Sequence, residues 1–420
     1  MEPTLHHRHP LRFITIIGFV AMILISTERA GQSEMVRIAA EQTALYMAER
    51  APAALSPQIP EVAPTPLAPA AEIEIDEALV QAQVPSVVRG VYLTGWSAGN
   101  EKTVERILAL SQESAINAVI VDIKDATGRL SYQPLDEALR ESGVGTNRIS
   151  DLPGLASKLH EAGIYLIGRV AVFQDPFYAQ LHPEDAFLDT RTGLVWKDYK
   201  GISWLMPNRQ SVWQYHVAIA RDAHAQGFDE INLDYVRFPS DGPLAYLDVS
   251  TQTMSRAETM ESFFAFIGPE LRTQGIVVSA DLFGLTMSAS DDLGIGQKLE
   301  AIAPHVDFIA PMIYPSHFAS GSYGIAQPAH EPYKIISKSL SRGIAKLEAI
   351  GEPKEKLRPW LQDFNLGAIY TENMVRDQIR ASEELGITSW MLWDPRNIYT
   401  SAALIDREPQ PIEISPGGVH

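Results

Sequence analysis

Residues 230–239 read Glu-Ile-Asn-Leu-Asp-Tyr-Val-Arg-Phe-Pro. Apolar and polar side chains alternate here, which is the period of a strand and not of a helix. Asn232 and Asp234 then share one face, and in a barrel of parallel strands that face looks inward near the mouth. Residues 277–284, Val-Val-Ser-Ala-Asp-Leu-Phe-Gly, repeat the arrangement with Ser279 and Asp281. Two successive strands that each turn a carboxylate inward make the chain an α/β protein with a polar site at its strand ends.

Six further short apolar runs have the same texture, at 90–94, 118–123, 165–170, 307–313, 358–362 and 389–393. Between the eight lie segments of helical period at 102–113, 153–162, 212–226, 257–273, 296–303, 333–350 and 372–385. Asp151 caps the second and Gly163 follows it, Gly227 closes the third, and Thr371 and Gly386 bracket the last, as helix ends require. This alternation predicts βα units around a parallel sheet. A doubly wound open sheet would read alike, but no strand exit carries the Gly-x-Gly-x-x-Gly loop such sheets usually have. The expected fold is a (β/α)8 TIM barrel over residues 88–400, followed by a tail at 401–420.

Upstream, Arg8 and Arg12 precede an uncharged apolar run at 13–25. Residues 1–30 therefore read as an export signal, either cleaved or retained as a membrane anchor. The run is shorter than the roughly 20 residues of a spanning helix, while Glu28 spoils the small-x-small cleavage pattern before Ala30. A weakly amphipathic helix at 31–50 and an Ala/Pro-rich stretch at 51–71 make 31–87 a largely disordered linker. The expected location is extracytoplasmic, periplasmic or secreted, with attachment to the inner membrane through 13–25 as the alternative to cleavage.

Composition removes whole classes of function. A net charge of -18 repels polyanions, so nucleic acid is not an expected partner. With no cysteine there is no disulfide framework, thiolate metal site, iron–sulfur cluster or thiol nucleophile. The 11 histidines form no His-x-His on the first strand and no His-Glu-x-x-His, so no metal is expected, with a divalent ion held by carboxylates at the barrel mouth as the alternative. His216 and His224 share one expected helix and read as surface or helix-layer residues. No motif points to a nucleotide, haem, flavin or pyridoxal cofactor.

Active sites of such barrels lie at the C-terminal strand ends. Two long connections fall there, 240–253 and an aromatic-rich 174–210 carrying Phe177, Tyr178, Phe187, Trp196, Tyr199 and Trp204. Asp234 is the first catalytic candidate, with Arg237 as the cation expected to keep it ionised; a purely structural Asp–Arg pair is the alternative. Asp281 is the second candidate, unless it only caps the following turn. Glycoside cleavage needs a proton donor and a nucleophile or base, and strands about 4.8 Å apart suit the roughly 5–5.5 Å of retaining enzymes. Rotamers and strand stagger can widen that gap to inverting distance.

The other strand exits supply Asp122, Lys124, Asp125, Arg169, Tyr314, His317, Gln362, Trp393 and Asp394, which with Arg237 form the expected sugar-binding set. Lys124 is expected to bridge to Asp122 or Asp234 rather than form a Schiff base. Asp125 before Ala-Thr-Gly and Asp394 before Pro suit turn or helix-cap roles equally well. Trp96, Tyr314 and Trp393 offer flat faces for stacking.

These residues bring out a family likeness. Arg-Gly-Val-Tyr-Leu-Thr94, Val-Asp-Ile-Lys-Asp125, Leu-Asp-Tyr-Val-Arg-Phe-Pro239, Ser-Ala-Asp-Leu-Phe-Gly284, Pro-Met-Ile-Tyr-Pro315 and Trp-Asp-Pro395 together resemble the glycoside-hydrolase-like domain of bacterial exported proteins, related to the alpha-amylase-like barrels. The likeness covers about residues 88–400. It implies a (β/α)8 fold, action on a polysaccharide, and Asp234 in the place of the amylase-like nucleophile. Two departures stand out: Asp281 replaces the usual fifth-strand Glu, and Asn232 stands where amylase-like enzymes carry Arg. The leading expectation is a glycosidase acting on an envelope or extracellular polysaccharide. A non-catalytic carbohydrate-binding barrel in wall or envelope assembly is the alternative, and deacetylation a third.

Overall fold

A computed structural model describes residues 84–405. Eight parallel strands close a barrel in chain order: β1 (Arg89–Leu93), β2 (Ala118–Lys124), β3 (Tyr165–Ala171), β4 (Glu230–Asp234), β5 (Val277–Phe283), β6 (Phe308–Met312), β7 (Trp360–Gln362) and β8 (Trp390–Trp393). Helices α1 (Glu101–Glu113), α2 (Leu152–Glu161), α3 (Gln210–Ala225), α4 (Arg256–Arg272), α5 (Leu299–Ile302), α6 (Pro332–Ala349) and α7 (Glu372–Glu383) alternate with them. The expected TIM barrel is thus present, with the eight predicted strands and the seven helices predicted between them in place.

Strand alternation explains the two cores. Val88, Tyr92, Ala118, Ile120, Tyr165, Ile167 and Met391 fill the barrel interior. The side chains between them, such as Val91, Val119, Val121 and Leu166, pack under the helices. Strands buried on both faces are the rule in parallel sheets, because helices cover the outer face. Near the N-terminal strand ends the interior also holds Arg358, whose Nη1 donates to Glu230 Oε1 and Oε2 at 2.8 and 2.9 Å.

The differences from expectation follow from proline and glycine. The helix expected at 296–303 shrinks to α5, because Gly296 has φ 88° and Pro304 lacks the donor a continuing helix needs. β7 begins at Trp360 rather than 358, and its pairing with β6 is limited to Met312↔Trp360. Pro311 and Pro359 flank that seam and cannot donate across it. The 174–210 connection is not structureless. It carries a helix, Pro176–Leu181, and antiparallel bridges Ala186↔Leu205, Leu188↔Val195 and Lys197↔Ser203, and it pairs with the 240–253 connection at Asp189↔Leu247. Phe187, Trp196 and Trp204 form its buried centre, leaving Tyr199 exposed.

The expected export segment, the 31–50 helix, the Ala/Pro-rich linker and most of the 401–420 tail lie outside the described residues. Among the described residues no helix is long and apolar enough to cross a membrane.

Candidate active site

Four strand ends converge on one guanidinium. Arg169 on β3 donates from Nη1 to Asp122 Oδ1 at 2.5 Å, from Nε to Asp281 Oδ2 at 3.2 Å, and from Nη2 to Asp234 Oδ2. The register sets Asp122 beside Arg169, as Asp122, Arg169 and Asn232 are successive partners across β2, β3 and β4, while Asp234 and Asp281 stand two residues beyond Asn232 and its partner Ser279, where the long Arg169 side chain reaches them. Side chains at matched heights on neighbouring inward-facing positions must meet. The carboxylates of Asp234 and Asp281 sit on the Nη2 and Nε edge of the guanidinium, with Asp122 on its other end.

Each carboxylate has a second support. Asp122 Oδ2 accepts from the Tyr92 hydroxyl at 2.5 Å. Asp281 Oδ1 accepts from Trp360 Nε1 at 2.7 Å and Asn232 Nδ2 at 3.0 Å. Asp234 Oδ1 accepts from the backbone N–H of Tyr235 at 2.5 Å. Tyr235 has φ 52°, a left-handed conformation that a bulky side chain seldom adopts.

Three carboxylates around one guanidinium leave excess negative charge in a water-poor space. Burial, then the Asp234 charge, pushes the Asp281 carboxyl up to about 7, against the opposing pull of Arg169, Trp360 and Asn232. Burial also raises Asp122, with Arg169 and Tyr92 opposing. For Arg169 burial works against the charge, and the three carboxylates outweigh it. Exposure grades the group: side chains are 1% exposed for Asp281, 7% for Asp234, 8% for Asp122 and 16% for Arg169.

An aromatic shelf borders this cluster. Tyr314 stacks on Trp393 with centroids 5.3 Å apart and 29° between planes, and Phe364 meets Trp393 edge-on at 5.0 Å. His317 lies against Tyr314 at 5.3 Å, and burial pushes its imidazole down to about 4, so it is neutral at pH 7. Trp393 keeps part of its surface open. Tyr314, His317 and Trp393 therefore lie together.

Five expected site residues lie elsewhere. A register shift after Asp122 turns Lys124 away from the interior. It is fully buried behind the barrel, where it pairs with Asp175 at 2.7 Å, donates to Ala171 O at 2.5 Å and meets His216 Nε2 at 3.4 Å. The expected bridge to Asp122 or Asp234 is not formed. Arg237 does not pair with Asp234 either; its Nη1 bonds Phe238 O and Ser240 Oγ, and its guanidinium lies over Trp204, Tyr235 and Phe283. The cation of Asp234 is Arg169, one strand away.

Asp125 accepts from Thr127 N and pairs with Arg148 at 2.6 Å on the rim, making it a turn residue. Gln362 is buried, with Oε1 bonded to Ser316 and Nε2 to Phe364 O. Asp394 holds Arg396 and the turn after β8. Their side chains are occupied with folding the rim. His216 and His224 are buried in the helix layer.

Tyr92 and Trp360 were not among the sequence candidates. Both are inward by strand alternation, and both read as ordinary barrel filling until the register sets their polar atoms beside Asp122 and Asp281.

Over residues 90–399 the sequence matches the family described as "Putative glycosyl hydrolase domain". No curated protein matches it. Among solved structures it is similar to a hypothetical protein from Ruminiclostridium thermocellum ATCC 27405, at 32% identity over 49% of this chain and 98% of that one, with a TM-score of 0.42. It is also similar to the PgaB (BpsB) glycoside hydrolase domain from Bordetella bronchiseptica, at 13% identity over 77% and 100% of the two chains, with a TM-score of 0.52. A third similar structure is the hyperthermostable endo-1,4-beta-D-mannanase from Thermotoga petrophila RKU-1, at 13% identity over 74% and 92%, with a TM-score of 0.47.

Proposed function

The chain belongs to this glycosyl hydrolase family, and from that premise we propose that it hydrolyses a polysaccharide through Asp234 and Asp281. The observation that carries the reading is the shared guanidinium edge, where two carboxyl groups sit side by side and burial, then the Asp234 charge, pushes the Asp281 carboxyl up to about 7, the range of a proton donor. Glycoside cleavage asks for that division of labour between two carboxyl groups. In this reading Asp234 attacks the anomeric carbon and Asp281 gives its proton to the departing glycosidic oxygen. Water, deprotonated by Asp281, then opens the glycosyl ester and regenerates both groups.

Three features support the assignment. Carboxylates held on neighbouring nitrogens of one guanidinium suit the close spacing of retaining enzymes, roughly 5–5.5 Å, better than the wider inverting gap. The uncompensated negative charge at the mouth also stabilises the positive charge that develops on the sugar in an oxocarbenium-like transition state. Tyr314 and Trp393 border the cleavage point with flat apolar faces that suit a sugar ring.

The low exposure of Asp281 favours one rival assignment, with Asp122 as the proton donor, because its carboxyl is the more open. Activated aryl glycosides separate the two. A good leaving group needs no protonation, so the variant lacking the donor, Asp281→Asn or Asp122→Asn, regains activity on them, while Asp234→Asn does not.

The substrate class proposed is an envelope or extracellular polysaccharide, in keeping with the apolar run at 13–25 and its reading as an export or anchor segment. Reducing-end release from a panel of bacterial envelope and plant-type polysaccharides tests the whole. Loss in Asp234→Asn supports a hydrolase; binding without release by the wild type leaves a carbohydrate-binding barrel.

A further inference from the structure

Trp96 is 68% exposed, an unusual state for the largest apolar side chain. It stands on a single helical turn, Gly95–Ala98, directly after β1 and so on the barrel face that carries the candidate site. The turn is built to hold it still. Thr94 Oγ1 accepts from Ser97 N at 3.1 Å. A Cβ at Gly95 would lie 2.0 Å from Ser131 Oγ and 3.0 Å from Asp122 O, so this backbone rests directly on the strand end that carries Asp122. On the other side, a Cβ at Gly99 would lie 1.8 Å from Arg148 O.

Arg148 then covers the indole. Its guanidinium lies 5.4 Å from the ring centroid of Trp96 and is fixed at 2.6 Å by Asp125, which Thr127 holds in turn. The backbone of this turn is thus seated on the site's own strand and a cation backs the ring, with most of the ring's surface left to solvent. Burying the ring into the barrel would have been the stabilising choice; a rigid exposed face lowers the ordering cost of a ligand that stacks on it.

Resting on the hydrolase reading above, we propose that Trp96 is an outer sugar platform, stacking on the apolar face of a pyranose ring some units away from the bond cleaved. The substrate is then a chain that spans several subsites, and affinity rises with its length until Trp96 is reached. Asp125 and Arg148 are positioning residues for this platform.

The test is equilibrium binding of β-linked N-acetylglucosamine and mannose oligomers, from disaccharide to heptasaccharide, by Asp234→Asn protein with and without Trp96→Ala. The expected result is a loss of about 3- to 10-fold for the long oligomers, the size of an aromatic-face contribution, with disaccharide binding unchanged. Trp96→Phe should recover part of it, and Arg148→Ala should show a smaller loss of the same length dependence. Equal loss at all lengths, no loss at any, or no tighter binding of long oligomers by the parent protein overturns the proposal. The hydrolase reading fails separately: absent reducing-end release by the wild type, with length-dependent loss intact, leaves the platform standing on a binding barrel.

Discussion

Two arginines sit inside the same barrel and are treated in opposite ways. Arg358, toward the N-terminal strand ends, meets one carboxylate: Glu230 takes both bonds from Nη1, Tyr165 adds a third hydrogen bond to Glu230 at 3.2 Å, and the guanidinium lies over Phe308 at 4.0 Å. Charges there cancel. Arg169, at the mouth, meets three carboxylates and cannot neutralise them, so a proton is retained near neutral pH. A balanced buried pair is a structural element, whereas an imbalance of this kind is what the proposed reaction would use.

The largest expected effect breaks this comparison from the mouth. Asp234→Asn should lower turnover by about 10^3-fold or more, with stability unchanged or higher, since it removes one of three like charges; turnover assays and urea denaturation check both halves. The next breaks it from the other end. Glu230→Gln should cost about 3–5 kcal/mol of stability by stranding Arg358, and Arg358→Met in the same chain should restore most of it. A mouth that loses stability and a barrel floor that loses turnover would reverse the assignment.

A third expectation concerns pH. The folded carboxyl of Asp281 titrates at about 7 and its unfolded counterpart at 3.8, so between those values the native state binds more protons than the unfolded one. Stability therefore falls as pH rises through that window and levels off above it. Asp363, pushed up to about 6 by burial, adds to the same slope. Asp281→Asn should flatten the slope in denaturation curves taken from pH 4 to 8, and wild-type turnover should decline as pH rises past about 7. The smallest expected effect is at Arg237. Because it stacks on aromatic rings and does not pair with Asp234, Arg237→Lys should cost about 1 kcal/mol of stability and less than 10-fold in turnover.

Much of this was legible along the chain. Period-2 alternation at Asn232, Asp234, Ser279 and Asp281 identified the inward faces, and Asn232 Nδ2 does bond both Ser279 Oγ and Asp281 Oδ1. Neighbours in sequence misled where neighbours in space were needed. Arg237 is three residues from Asp234 and was the natural partner to expect, yet Arg169, 65 residues away, takes the position. Lys124 was misplaced by one register shift, since a single extra residue in a strand flips every side chain beyond it.

The sequence by itself determined the eight βα units, the inward carboxylates and the apolar faces of the helices, because these depend on local periodicity and on residue type. Only the tertiary structure decided which inward groups come within reach of one another, and hence that Asp122, Asp234 and Asp281 surround Arg169 while Arg237, Gln362 and Asp394 serve the rim. Strand register and barrel closure set that choice, and both arise from long-range pairing that no local pattern encodes.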